Sequence, residues 1–409
     1  PLINTSSVTN FGRTWENCTG ITTFPLINTS SGTDFNRAWN GCSGITTFPL
    51  INTSSGTNFQ ETWKGCSGIT SFPLINTSSA TKIFSSWQNC TGLTTFPLIN
   101  TSSVTNFGRA WSGCSGLTSF PLIDTSNGTD ISQTWRYCSG LTSFPQIDTS
   151  SGTSFAFTWQ DCSGLTEFPV LDFSSGTNFS SSWRDCTGIT TFPSLDFSSG
   201  TNFSYAWFGC SSLTTYPANQ FDTTGTLSSD AFHNSLRGCA LTAQSIENII
   251  VSLDTNGQQN IRLALEDGTN ANASTWSTDA IIAYRNLINK SWTINQNGTP
   301  SMSELEYTIS NSGTSFTLRS VGTVNYTVDW GDGSDEETST STTLSHTYSS
   351  SGTYVVKINS NSGTYRPHFN NSTDEDQITS IAIGIESSSS STGFGNNIEN
   401  AFRGTQNMT

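Results

Sequence analysis

The sequence predicts a repeat solenoid, with one strand and one short helix in each 24-residue coil, closed by an αβ cap and followed by an all-β module. Three observations carry this reading. Pro recurs at a constant step of 24 from Pro1 to Pro217, and nine units fill residues 1–216 without an insertion. Trp keeps the same step from Trp15 to Trp207, and Cys from Cys18 to Cys210. After residue 216 the phase breaks and the pattern shifts, first to helical spacing and then to alternation of period two. A fixed short period is the signature of coils that bury their apolar positions against their neighbours.

Within a coil, Ile27, Phe35, Trp39, Cys42, Ile45 and Phe48 and their equivalents form the apolar set, and substitutions there stay apolar, as at Ile83, Ile131 and Tyr216. The segment L-T-x-F-P-x-I mixes β-branched and aromatic residues, which predicts the strand. The segment D-F-N-R-A-W-N-G-C follows capping residue types and predicts one or two helical turns, with Gly44 and its equivalents releasing the chain. One strand and one short helix in 20–29 residues is leucine-rich-repeat arithmetic.

Downstream, residues 217–300 read as a degenerate tenth unit plus an αβ capping region. Leu236 stands in the Trp place and Cys239 is kept. Helices are expected over 243–253 and 278–290, and strands at 261–265 and from Trp292. A terminal cap is what a solenoid needs to cover its last apolar coil. Residues 301–362 alternate at period two and form the β module. Residues 363–409 read as a linker and the start of a further repeat, with Phe402 in the Trp place. The chain opens and closes in mid-coil, which reads as a segment of a longer or processed protein.

Two stretches resemble known families. The units W-x-x-C-S-G-L-T-S-F-P-x-I-D-T-S resemble the repeats of BspA-like leucine-rich bacterial surface proteins, with Trp where those carry Met-Phe. That resemblance implies a right-handed horseshoe or straight solenoid on a secreted or surface protein, often adhesive and without enzymatic activity. Val328-Asp329-Trp330-Gly331-Asp332-Gly333-Ser334, followed by His346-Thr347-Tyr348 and Gly352-Thr353-Tyr354-Val355-Val356, resembles the PKD-type β-sandwich. It implies an immunoglobulin-like extracellular spacer or binding module.

Composition narrows function. Charged residues make up 11% of the chain and the net charge is −15, with four lysines. No basic patch exists to hold nucleic acid or anionic lipid, and no apolar run is long enough to span a membrane. Residues 1–216 hold 11 acids and 7 bases, so the acidity belongs mostly to the later modules.

Candidate sites are few. Each coil has a single Cys, which excludes zinc pairs within a coil; a buried thiol ladder and pairwise bridges both remain open. His233, His346 and His368 lie in different segments, no nucleophile elbow or P-loop occurs, and no catalytic residue, cofactor or resident metal is assigned. Asp329, Asp332 and Asp335 are the calcium candidates, weighed against a solvated acidic turn. Asn4, Asn28, Asn52, Asn76 and Asn100 repeat the N-x-S/T glycan acceptor motif in phase, as do Asn17, Asn89, Asn178 and Asn202 out of that row. Thr9 and its equivalents to Thr201 form a hydroxyl row, read as turn chemistry or as a flat ligand face.

Unit positions 13 and 16 vary most, and they give the ligand-face candidates Arg13, Arg37, Lys64, Arg109, Arg136, Arg184 and Tyr205. Drift explains that variation as well as recognition does. The expectation is a non-enzymatic extracellular protein on a cell surface, appendage or phage fibre. It would act as an adhesin that binds glycan or protein through one solenoid face. The alternative is a structural fibre or spacer that assembles with copies of itself, with or without covalent glycans.

Overall fold

The computed structural model describes residues 4–298, 300, 304–311, 315–319, 324–363 and 378–383. The chain divides into two compact units, one of residues 1–271 and 283–297, the other of residues 272–282 and 298–409.

In the first unit the 24-residue segments stack in register. Single parallel bridges join Asn10, Asp34, Asn58 and Lys82 in one row, and Thr23, Thr47, Ser71 and Thr95 in another. Between these rows, alternate backbone N–H groups point in different directions. Those of Phe35, Arg37, Trp39 and Gly41 donate to the next coil, to Asn58, Gln60, Thr62 and Lys64 carbonyls at 2.7–3.0 Å. Those of Ala38, Asn40 and Cys42 donate back three residues within their own coil.

This geometry replaces the helix expected in each coil. A helix would send every N–H to its own i−4 carbonyl. Here residue 13 of all nine units has positive φ, from 54° at Ser85 to 59° at Phe157, and residue 17 does too. Those reversals turn the chain out of the helical path, so the segment is a run of tight turns. Position 17 holds residues that tolerate this conformation: Asn17, Gly41, Gly65, Asn89, Gly113, Asp161, Asp185 and Gly209, with Tyr137 the exception. Position 13 never holds glycine.

The expected strand also shrinks, to a single bridged residue in the first four coils and at Thr191 and Thr215, and to none at Ser119, Ser143 and Glu167. The Pro at position 1 has no N–H to donate. The N–H of Ile51 then bonds the Pro49 carbonyl at 2.9 Å, a one-residue turn that ends any ladder, and Ile75, Ile99 and Ile123 repeat it.

Two aromatic columns run through all nine coils, and an outer Phe column, Phe11 to Phe203 stacked at 5.3–5.4 Å, is interrupted at Ile83 and Ile131. Trp15 to Trp207 stack at 5.2–6.1 Å between centroids. Phe24 to Tyr216 form a second column, set edge-on to the first, as Phe48 is to Trp39 at 4.9 Å. Each such pair adds about 0.5–1.5 kcal/mol beyond area burial.

The tenth coil carries five extra residues but keeps the ladder: Tyr205 and Trp207 donate to His233 and Ser235 carbonyls. Helix α1 (Ala243–Asn256) follows, capped by Thr242 and ended by Gly257 at φ 79°. It buries Ile246, Ile249, Ile250 and Leu253 at helical spacing. Its Ser245 and Ser252 hydroxyls accept from the Tyr216 and Phe221 N–H groups. The helix thus satisfies backbone groups that another regular coil would have satisfied. Strands β1 (Arg262–Leu265) and β2 (Thr293–Gln296) pair in parallel, with helix α2 (Thr278–Asn289) between them in sequence.

In the second unit, β3 (Glu304–Asn311), β5 (Val324–Asp329), β6 (Glu337–Ser339), β8 (Gly352–Gly363) and β9 (Ile378–Ile383) form an antiparallel sheet in the order β6-β5-β8-β3-β9. Strands β4 (Ser315–Arg319) and β7 (Thr343–Thr347) form a second, two-stranded sheet. Strand β9 corrects the expected boundary: residues 378–383, assigned to a linker, pair with β3. The further repeat expected at 398–409 lies outside the described residues.

Because position 13 pays a backbone cost for keeping a side chain, Arg109→Gly should leave the unfolding midpoint unchanged or raise it by up to about 1 kcal/mol, while Arg109→Val should lower it by about 1–2 kcal/mol. Urea unfolding of the three proteins measures this.

Candidate functional site

The turn ladder lines up positions 13, 16 and 17 along one side of the stack, where Glu61, Ser85, Ser112, Gln160 and Ser181 are buried, and the seven ligand-face candidates fall into two groups there. Near the amino-terminal end the cations are answered by acids. Arg13 lies 3.9 Å from Glu16, Arg37 lies 3.9 Å from Glu16 and 3.1 Å from Glu61, and Lys64 lies 3.5 Å from Glu61. The Arg37 hydrogen bond and the nearby cations outweigh burial and hold the Glu61 carboxyl below its ordinary range.

From coil 5 onward the cations sit over aromatic rings, with Arg184 also paired to Asp185 at 3.1 Å. The Arg109 guanidinium is 5.9 Å from the Phe84 centroid, and its Nε donates to Gln133 Oε1 at 3.1 Å. Arg136 lies 4.4 Å from the Tyr137 ring and 5.3 Å from the Phe157 ring, and donates to the Tyr137 hydroxyl at 2.6 Å. Arg184 lies 5.0 Å from Phe208 and 5.7 Å from Tyr205. Tyr205 in turn meets the His233 ring edge-on at 5.4 Å. His233 lines a cleft of about 260 Å³ with Asn234, Arg262, Leu263, Ala264, Thr293 and Asn295. The strip from Arg109 to this cleft therefore alternates ring faces with guanidinium, amide and imidazole groups. Arg136 Nε and Gln160 Oε1, on adjacent coils of it, are buried without a hydrogen-bond partner among the described residues.

Tyr137 is the residue that sequence reasoning missed. It is 44% exposed and held at φ 63°, where every other coil has Gly, Asn or Asp. The signal was present in the aligned units, in the column beside the two that were read.

The other candidates have structural tasks. Asn28 Oδ1 accepts from the Ser30 N–H at 3.1 Å and its hydroxyl at 2.8 Å. Asn4, Asn52, Asn76 and Asn100 likewise accept from the N–H two residues on. Asp124, Asp148, Asp172 and Asp196 fill the same role in later coils. Turn chemistry accounts for this row by itself. The Thr33 and Thr57 N–H and hydroxyl groups both donate to the Thr carbonyl of the preceding coil, which accounts for that row too.

The cysteines are free thiols, and from Cys42 onward they donate to Trp carbonyls of the preceding coil, Cys66 to Trp39 at 3.1 Å for example. Burial pushes Cys90, Cys138 and Cys239 up to about 12.

In the second unit, Asp332 spends both oxygens locally. Oδ1 accepts from Ser334, and Oδ2 lies 2.8 Å from His346 Nε2. His346 stacks on buried Trp330 at 4.8 Å, and Asp329 Oδ1 caps the Gly331 N–H. No cluster of three or more metal-ligating side chains occurs among the described residues, so Asp329, Asp332 and Asp335 do not come together as a calcium site. His368 lies outside the described residues. No described helix is long and apolar enough to cross a membrane.

A scan against protein-family models finds no match, and a search of curated proteins finds no relative.

Two outcomes follow. Of the ten thiols, a thiol reagent should titrate only half-buried Cys18 in the native protein and all ten in denaturant. The Asp332 carboxyl is held at about 2, first by the Ser334 hydroxyl and then by His346. A depressed carboxyl contributes stability above its ordinary value of 3.8 and loses it as pH falls toward 2. Calorimetry between pH 4 and 2 should show a melting transition that falls with acid, and Asp332→Asn should flatten that fall.

Proposed function

We propose that the protein is a non-enzymatic extracellular adhesin, built as a solenoid of 24-residue coils followed by an immunoglobulin-like PKD-type module. It belongs on a cell surface, appendage or phage fibre. Its ligand is a glycan, held along the strip from Arg109 to the cleft at His233. Tyr137 is the observation that carries this reading. A left-handed backbone position costs a bulky residue roughly 1–2 kcal/mol, and the cost here supports an exposed ring braced by Arg136. Strain kept at a position that tolerates Gly, Asn or Asp points to use of the side chain.

The chemistry suits a sugar. Flat rings cover the apolar C–H face of a pyranose, while guanidinium and amide groups beside them hydrogen-bond its hydroxyls. Phe157 on the coil after Tyr137, and Tyr205 and Phe208 together two coils beyond it, supply further rings, so an extended oligosaccharide would meet more than one aromatic subsite. The amino-terminal cations Arg13, Arg37 and Lys64 contribute little, because Glu16 and Glu61 already pair with them.

A glycan array probed with the intact chain tests the proposal. Tyr137→Ala, Phe157→Ala and Tyr205→Ala should each weaken binding about 10-fold or more, with unfolding midpoints little changed. Binding that survives all three substitutions, or an array with no positive glycan, would sink it.

A further inference from the structure

A second face of the stack carries an apolar row that the fold leaves bare. Position 2 of the unit holds Leu26, Leu50, Leu74, Leu98 and Leu122, each 61–68% exposed. The turn that bonds Ile51 N–H to Pro49 O puts Leu50 at its apex, and the same turn recurs at Leu74, Leu98 and Leu122. On either side Phe48 and Ile51 point into the core, at 6% and 2% exposure, so Leu50 must point out. Exposed leucines scattered singly are ordinary, but five in register one coil apart make a contiguous patch.

The flanking rows show what the patch fits. Beside the leucines stand exposed Thr22, Thr23 and Asn28 and their equivalents, and no charged residue occurs in these rows before Asp124. From there on position 4 is Asp124, Asp148, Asp172 and Asp196, and Glu167 joins them. From the next coil on the leucine is lost, to Gln146, Val170 and Ser194, so only the coil of Leu122 and Asp124 carries both. One half of the face is thus apolar and neutral, and the other is acidic.

We propose that a second copy of this chain docks on the leucine row, antiparallel, about a two-fold axis at Leu74. That arrangement sets Leu26 against Leu122, Leu50 against Leu98 and Leu74 against itself. It leaves Asp148, Asp172 and Asp196 outside the overlap and sets Asp124 beside the coil of neutral Asn28, not beside its own copy. A parallel pairing would oppose each Asp to its own copy, and like charges held in apposition are unfavourable. A two-fold axis also closes the assembly, so the product is a dimer. Five coils at ~4.8 Å span about 24 Å, and a strip roughly 20 Å wide then gives about 500 Å² per copy. The total of about 1,000 Å² lies at the lower edge of specific interfaces, the size class of weak and transient pairs.

Sedimentation of the intact chain from about 1 to 100 μM, a range suited to weak and transient pairs, tests this. The wild type should pass from monomer to dimer, and Leu74→Asp should weaken association about 10-fold or more. Leu74 is exposed, so the fold should survive, and circular dichroism checks that it does. Orientation is read by crosslinking. Leu74→Cys should link to itself, and Leu50→Cys should link to Leu98→Cys but not to itself. A wild type that stays monomeric throughout, including one that binds vesicles or another protein through this face instead, overturns the proposal. So does a dimer indifferent to Leu74→Asp, or self-linking of Leu50→Cys.

Discussion

The stack depends on one constraint: alternate backbone N–H groups of each turn segment must find their acceptors on the next coil. Phe35, Arg37, Trp39 and Gly41 all donate across, while the residues between them donate within. A single coil leaves half of these groups unpaired, and unpaired buried backbone is costly. A coil is therefore stable only with a neighbour at fixed spacing, and the unit length cannot drift while the register holds. Nine units without an insertion, then five extra residues placed outside the turn segment of the tenth, are what that demands. The same constraint reverses φ at positions 13 and 17 and so excludes the helix.

Much of this was legible in the sequence, because period and burial share a cause. The positions that stay apolar across units, Phe35, Trp39, Cys42, Ile45 and Phe48, are buried. The helix α1 and strand β1 declared themselves by spacing. The conformation inside a coil did not. Residues such as D-F-N-R-A-W-N-G-C suit a helix locally, and the partner that overrides that preference is an adjacent coil. A local reading of propensity cannot see such a partner. The candidate site was legible only in part for a related reason. Variation marked positions 13 and 16, but which cations stay free depends on neighbours 24 residues away, Glu16 and Glu61 for some and aromatic rings for others. Position 2 stood outside the apolar set, and its outward direction is visible only from the one-residue turn at Pro49.

Aromatic packing carries costs that an isolated residue would not. The indole N–H groups of Trp39 and its equivalents to Trp207 are buried without a hydrogen-bond partner among the described residues. Each such group costs about 1–3 kcal/mol, against about 3–5 kcal/mol lost when a buried Phe or Trp is cut to Ala. The column wins because each ring touches a ring above and below and a Phe edge beside it. Where the outer Phe column is interrupted, at Ile83 and Ile131, the Trp and Phe24 columns run on unbroken.

Register also explains the scarcity of charge. A charged residue repeated in every coil would face its own copies at ~4.8 Å, and two like charges at that distance repel by roughly 1 kcal/mol even in water. Rows that carry charge therefore break it up. Arg37 stands between Glu16 and Glu61, and Asp34 accepts from the Asn58 amide of the next coil. Ser, Thr and Asn fill the remaining surface because their groups bond to the neighbouring coil without repelling it. Asp124, Asp148, Asp172 and Asp196 are the exception, four carboxylates in consecutive coils. Each is steadied by its own Asx turn, and the Ser150 hydroxyl holds the Asp148 carboxyl below its ordinary range. The turn bonds offset the repulsion coil by coil, but they leave the field of the row in place. Half of that face is therefore negative, although the stack as a whole is nearly neutral.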